Sequence, residues 1–189
     1  MVSDEPGFGR AFFNRTIRRT QCSYFYPQIL SKRLFNRYWI HTQSPSIPSP
    51  DPDQLQVKGP SLQIEISISA ILATYFQSIG QPIPSPMSGL ALIDTGATFT
   101  SIDEDILNAL GIRPVGSTPV QTPSGVLQQR GIFTCQFSFP GTPIPVFPFA
   151  NVVGSTLKPQ GIVALIGRDL LRNFLLIYDG VHGSWTLSF

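Results

Sequence analysis

Leu90-Ala91-Leu92-Ile93-Asp94-Thr95-Gly96-Ala97 runs from four unbroken apolar residues into a carboxylate. An apolar run without alternation reads as an interior strand covered on both faces. Asp94 therefore arrives as a buried strand ends, at the rim of a core. Gly96 lets backbone or ligand approach without a Cβ in the way. Thr95 offers a hydroxyl that donates and accepts at once, which suits bracing two equivalent loops against each other. One Asp-Thr-Gly alone is a weak signal. A second accompanies it: Ala164-Leu165-Ile166-Gly167-Arg168-Asp169-Leu170-Leu171, an apolar strand stopped by glycine and followed directly by a helix.

Outward from these motifs, Leu62, Ile64, Ile66, Ile68 and Ala70 alternate with Gln63, Glu65, Ser67 and Ser69, the period of a strand with one buried face. Pro82 to Pro86 turns the chain before the Leu90 run. Ser101 and Glu104 have capping-box spacing, and Ile102, Ile106 and Leu110 recur up to Gly111, which predicts one short helix. Residues 115–122 and 126–139 read as the arms of a hairpin around Thr122-Pro123-Ser124-Gly125. Strands are expected over 146–153 and 161–166, a helical turn or two over 169–174, and a terminal hairpin over 175–189 bent at Asp179-Gly180. Cys135 falls on the apolar side of an alternating stretch and reads as a core filler.

The chain has 189 residues, 42% of them apolar and only 13% charged, with eighteen prolines and sixteen glycines. That balance points to a mostly β fold with many turns. The net charge of +2 hides an asymmetry, because residues 1–60 hold eight Lys/Arg against four Asp/Glu and residues 61–189 hold five against seven. The expected organisation is a basic and aromatic leader of propeptide or disordered character over 1–43, a Pro-rich linker over 44–60, and a folded domain over 61–189. In the linker, repeated prolines disfavour regular hydrogen bonding. The leader interleaves Arg and aromatic residues, a pattern that also suits single-stranded nucleic acid or an anionic membrane surface. The folded part has no basic face for phosphates, so no nucleic-acid partner is expected for it. No apolar run reaches signal-peptide or membrane-spanning length, and cytoplasmic residence is expected.

The stretches Ala91–Ala97 and Leu165–Leu171 together resemble the retropepsin-like aspartic protease family. Its hallmark is an Asp-Thr-Gly-Ala loop and, later in the chain, two apolar residues, Gly-Arg-Asn/Asp and a short helix. The resemblance covers roughly residues 61–189. It implies a closed β-barrel with a flap hairpin and one or two short helices, one lobe per chain. It implies that Asp94 is catalytic, supported by Thr95, Gly96 and Ala97. The flap tip Pro123, Ser124 and Gly125, with Val163 and Leu165, would contact substrate, and Gly167, Arg168 and Asp169 would form the structural motif. Terminal strands interleave between subunits in this family, so Trp185, Leu187 and Phe189 are expected against a second copy. Two departures stand out. Thr98 occupies the place where retroviral members usually carry an Asp paired with the motif arginine, which leaves the partner of Arg168 open. The flap tip is also poorer in glycine.

In such enzymes two carboxylates about 3 Å apart cannot both ionise and share one proton, one acting as base towards water and the other as acid towards the peptide carbonyl. This chain has one Asp-Thr-Gly. The expected active form is thus a homodimeric aspartic endopeptidase acting on a peptide or protein substrate, with no cofactor and no metal. Without pairing, the same fold is a catalytically inactive dimerisation or binding module. Asp94 to Thr98 also loosely resembles the Asp-x-x-x-Thr loop of phosphoryl-transfer enzymes, but Lys158 is the sole lysine of the folded part and no acidic pair stands ready for Mg²⁺. Asp103, Glu104 and Asp105 complement a helix N-terminus, and His41 and His182 lack triad or metal-ligand spacing.

Overall fold

The computed structural model describes residues 39–41, 50–121 and 125–189. A short strand, β1 (Trp39–His41), is followed by helix α1 (Pro52–Lys58). This helix lies inside the stretch expected as an extended linker, and its local cause is plain. The Asp51 carboxylate accepts the N–H groups of Asp53 at 2.9 Å and Gln54 at 3.2 Å. Pro52 stands in the first turn, where a missing N–H costs nothing. Leu55 is buried in the core, and the Asp51 N–H donates to the Gly183 carbonyl at 3.2 Å. Helix α1 is thereby packed with the domain rather than spaced from it.

Strand β2 (Ser61–Ile68) follows its alternation, burying Leu62, Ile64, Ile66 and Ile68. It stops two residues before Ala70, because Ser69 Oγ accepts the Leu72 N–H at 3.3 Å and caps helix α2 (Ala70–Ser78), which the alternation did not predict. Then come β3 (Met87–Ile93), β4 (Ser101–Asp103) and α3 (Glu104–Ala109). The expected cap at Ser101 is displaced: Ser101 lies in β4, and Asp103 is the capping residue, accepting the Asp105 N–H at 3.0 Å. The predicted hairpin forms from β5 (Gly116–Gln121) and β6 (Leu127–Ser138), paired from Gly116 opposite Ile132 to Gln121 opposite Leu127. Its tip residues Pro123 and Ser124 lie outside the described residues, while Gly125 adopts φ 81° at the return. The chain continues through β7 (Phe147–Ser155), a 3-10 turn at Lys158–Gln160, β8 (Ala164–Ile166), α4 (Arg168–Leu171), β9 (Leu175–Asp179) and β10 (Ser184–Ser188).

The larger sheet has the order β2-β3-β8-β4-β7-β6-β5, and β2 pairs in addition with β6, so the order returns on itself. Two pairings are parallel, β3 with β8 and β4 with β7. The core lies beneath these strands, with Ile64, Ile66, Ile102, Phe137 and Ile166 all nearly or fully buried. Cys135 is in that core, where burial pushes its thiol up to about 12.

A smaller sheet of order β1-β10-β9 carries the C-terminus. Here the expectation of a terminal strand buried against a second copy is corrected. Trp185 and Leu187 are 3% and 1% exposed within the single chain. Phe189 packs edge-to-face on Phe147 with ring centroids 5.1 Å apart. Strand β10 is paired on both edges and its apolar face belongs to its own core. Among the described residues, no helix is long and apolar enough to cross a membrane.

Candidate active site

The parallel pairing of β3 with β8 sets Ile93 opposite Ile166, so the two sequence motifs end side by side. The Asp94 N–H donates to the Ile166 carbonyl at 3.0 Å. Beyond this point the chain folds around its own carboxylate: Asp94 Oδ1 accepts the N–H groups of Gly96 at 2.7 Å and Ala97 at 3.2 Å. Gly96 eases that approach, since a Cβ there would fall 3.0 Å from Asp94 Oδ1, a tight contact. Thr95 and Gly96 are exposed on the outside of the loop.

Arg168 holds the loop from below. Its Nη1 donates to the carbonyls of Thr95 at 2.8 Å and Gly96 at 3.0 Å, and its Nη2 donates to Thr98 Oγ1 at 2.9 Å. The question left open by Thr98 is answered: two carbonyls and a hydroxyl satisfy the planar guanidinium fork where a carboxylate would otherwise serve. The Arg168 and Asp169 N–H groups donate to the carbonyls of Ala97 at 3.0 Å and Thr98 at 3.3 Å.

Asp169 completes the clasp through a residue that sequence reasoning missed. Its carboxylate accepts the Thr100 N–H at 2.9 Å and the Thr100 hydroxyl at 2.7 Å, and Thr100 Oγ1 in turn accepts the Gly167 N–H at 3.1 Å. Thr100 is fully buried. Gly167 allows the crossing: a Cβ there would lie 2.5 Å from the Phe99 carbonyl carbon.

A further carboxylate, this one buried, supports the far side. Asp103 accepts N–H groups from Leu157 and Lys158, both at 2.7 Å. Burial alone would push its carboxyl up, but these donors, the Asp105 N–H and the Lys158 ammonium outweigh it and hold the group below the usual carboxylate range. The cap therefore also staples α3 to the turn after β7.

Above the Asp94 loop lies a cleft of about 790 Å³, walled in part by Phe99, Val120, Val153 and Leu165. Residues Pro119 to Gln121 of the hairpin reach it. Asp94 is the one carboxylate among the described residues lining it. Of the expected subsite residues, Leu165 lines this cleft. Val163 does not: it packs on the core and against Gly89, where a Cβ would come within 2.3 Å of its side chain. Gly125 is exposed and is not among the residues lining the cleft.

No family model and no curated protein matches the chain. Among solved structures, it is similar to a retropepsin-like aspartic protease from Rickettsia conorii, with 13% identity over 82% of this chain and 93% of that one and a TM-score of 0.43. It is also similar to the simian foamy virus (mac) protease, with 19% identity over 58% of this chain and 91% of that one and a TM-score of 0.36.

Proposed function

We propose that the chain is one half of a homodimeric, retropepsin-like aspartic endopeptidase with Asp94 as its catalytic carboxylate. One observation carries this reading: a single carboxylate, fixed by the N–H groups of its own loop, stands at a cleft large enough for an extended peptide. Both of its hydrogen bonds fall on Oδ1, which leaves Oδ2 for chemistry. Paired with Asp94 of a second copy, it would share one proton. The unprotonated member takes a proton from water as that water attacks the peptide carbonyl carbon. The protonated member gives its proton to the carbonyl oxygen. The tetrahedral adduct then collapses: the first carboxyl passes the proton it took from water to the nitrogen, the C–N bond breaks, the amine leaves, and a hydroxyl of the adduct returns its proton to the second carboxylate.

The surroundings fit these roles. The exposed Thr95 and Gly96 offer a surface for an equivalent loop. The hairpin β5–β6 serves as the flap, with Pro123, Ser124 and Gly125 at its tip, and Leu165 lines a substrate subsite. The β2–β6 pairing supports a closed-barrel description. A second reading, a binding module without activity, is favoured by the terminal sheet, whose β10 has no open edge for an interleaved partner strand.

Asp94→Asn separates the two readings, because it keeps volume and removes the titrating charge. Digestion of an unfolded protein substrate should stop, with sedimentation of the variant unchanged. Activity above a few percent in the purified variant would refute the endopeptidase reading.

A further inference from the structure

The cleft is not uniformly apolar. Ser155, Thr156, Gln160 and Arg130 also line it, and Arg130 is the one cationic side chain among its described lining residues. Arg130 sits on β6 opposite Thr118, on the arm of the hairpin that overhangs the site. Its Nη2 donates to Gln128 Oε1 at 2.7 Å. Its nearest carboxylate, Glu104 Oε1, is 3.8 Å from Nη1, too far for a hydrogen bond. A guanidinium presents five N–H donors in a planar fork shaped for a carboxylate. Glu104 and Gln128 engage only part of that fork. The Arg130 side chain is 30% exposed, so a peptide laid in the cleft would take away much of its remaining water and strengthen any pairing it makes.

We infer that the cleft selects peptides carrying a glutamate or aspartate side chain at the subsite walled by Arg130, with Glu104 as an internal competitor for the same guanidinium. This rests on the endopeptidase reading of the cleft and adds its substrate class. Arg130 is then a specificity-determining residue rather than a catalytic one. Glu104 lowers the preference without abolishing it, since its ion pair is long and its side chain is 47% exposed.

The test uses pairs of unstructured peptides identical except for Glu or Gln, with the position scanned along the sequence. Both cleavage and binding to the full chain are measured, binding with peptides whose scissile bond is reduced to an amine. At one position Glu should be favoured about tenfold over Gln in affinity, the contribution of a charge-assisted hydrogen bond. Arg130→Gln should bring the pair to equal affinity, and Glu104→Gln should widen the gap. Cleavage without a charge preference, or a Glu preference that survives Arg130→Gln, would overturn the inference while leaving the endopeptidase reading intact. Absence of cleavage together with an Arg130-dependent preference in binding would do the reverse. Equal binding of Glu and Gln at every position overturns the inference whether or not the chain cleaves.

Discussion

Arg168 illustrates how one side chain can keep a loop's geometry after its expected partner has gone. Three acceptors within 3.0 Å of its two terminal nitrogens do the work. A lysine is a point charge without the fork, so Arg168→Lys should leave the fold intact and misplace Asp94, lowering kcat/KM by about 100-fold. Steady-state kinetics beside an unchanged circular dichroism spectrum would check this. Thr100→Val should strip a buried hydroxyl from between Asp169 and the Gly167 N–H and cost about 2–3 kcal/mol in chemical denaturation. Thr100 was not legible in the sequence because its partners lie 67 and 69 residues away and a lone threonine carries no periodic signal. Asp103 gives a pH-dependent outcome. Its carboxyl is held below the usual range, so its stabilisation is present above the unfolded carboxylate value of about 3.9 and is lost as pH falls through the folded value. Asp103→Asn should therefore destabilise at pH 7, and the gap to the parent should close below about pH 4 in urea titrations.

At the scale of elements, strong periodicity was readable and helix boundaries were not. Alternation located β2, and the two arms of the hairpin fell within a residue or so of β5 and β6. Helix α2 escaped because its apolar residues fall on both sides: Leu72, Ala73 and Phe76 pack half-buried on the core while Ile71 and Tyr75 are exposed, so no clean apolar stripe distinguishes it from the strand before it. Helix α1 escaped because prolines were read as breakers, whereas Pro52 stands where a helix accepts one. That placement has a consequence for truncation. A chain beginning at Gly59 loses Leu55 from the core and should be less stable by about 2–4 kcal/mol than one beginning at Arg37. Thermal melts of the two would measure it. Deleting Thr186 to Phe189 should unfold the domain rather than release a folded monomer, because Leu187 is 1% exposed inside its own chain.

For the whole molecule, the two motifs carried most of what the sequence disclosed, since the β3–β8 pairing is what brings Leu90–Ala97 and Ala164–Leu171 together. The destination of the terminal strand was not legible, because alternating Trp185, Leu187 and Phe189 look the same whether they fill their own core or a partner's. With β10 occupied on both edges, contact between copies would run through the Asp94 loop, where Thr95 and Gly96 are exposed. On the proposed homodimer, one carboxylate per cleft would make activity a property of the pair. The most direct measurement mixes the parent chain with an equal amount of Asp94→Asn, equilibrates them by dilution and reconcentration, and compares activity with the parent alone at the same total concentration. If each dimer needs two copies of Asp94, random pairing leaves about one quarter of the activity. Retention of about one half, as for chains that act singly, would contradict the shared site.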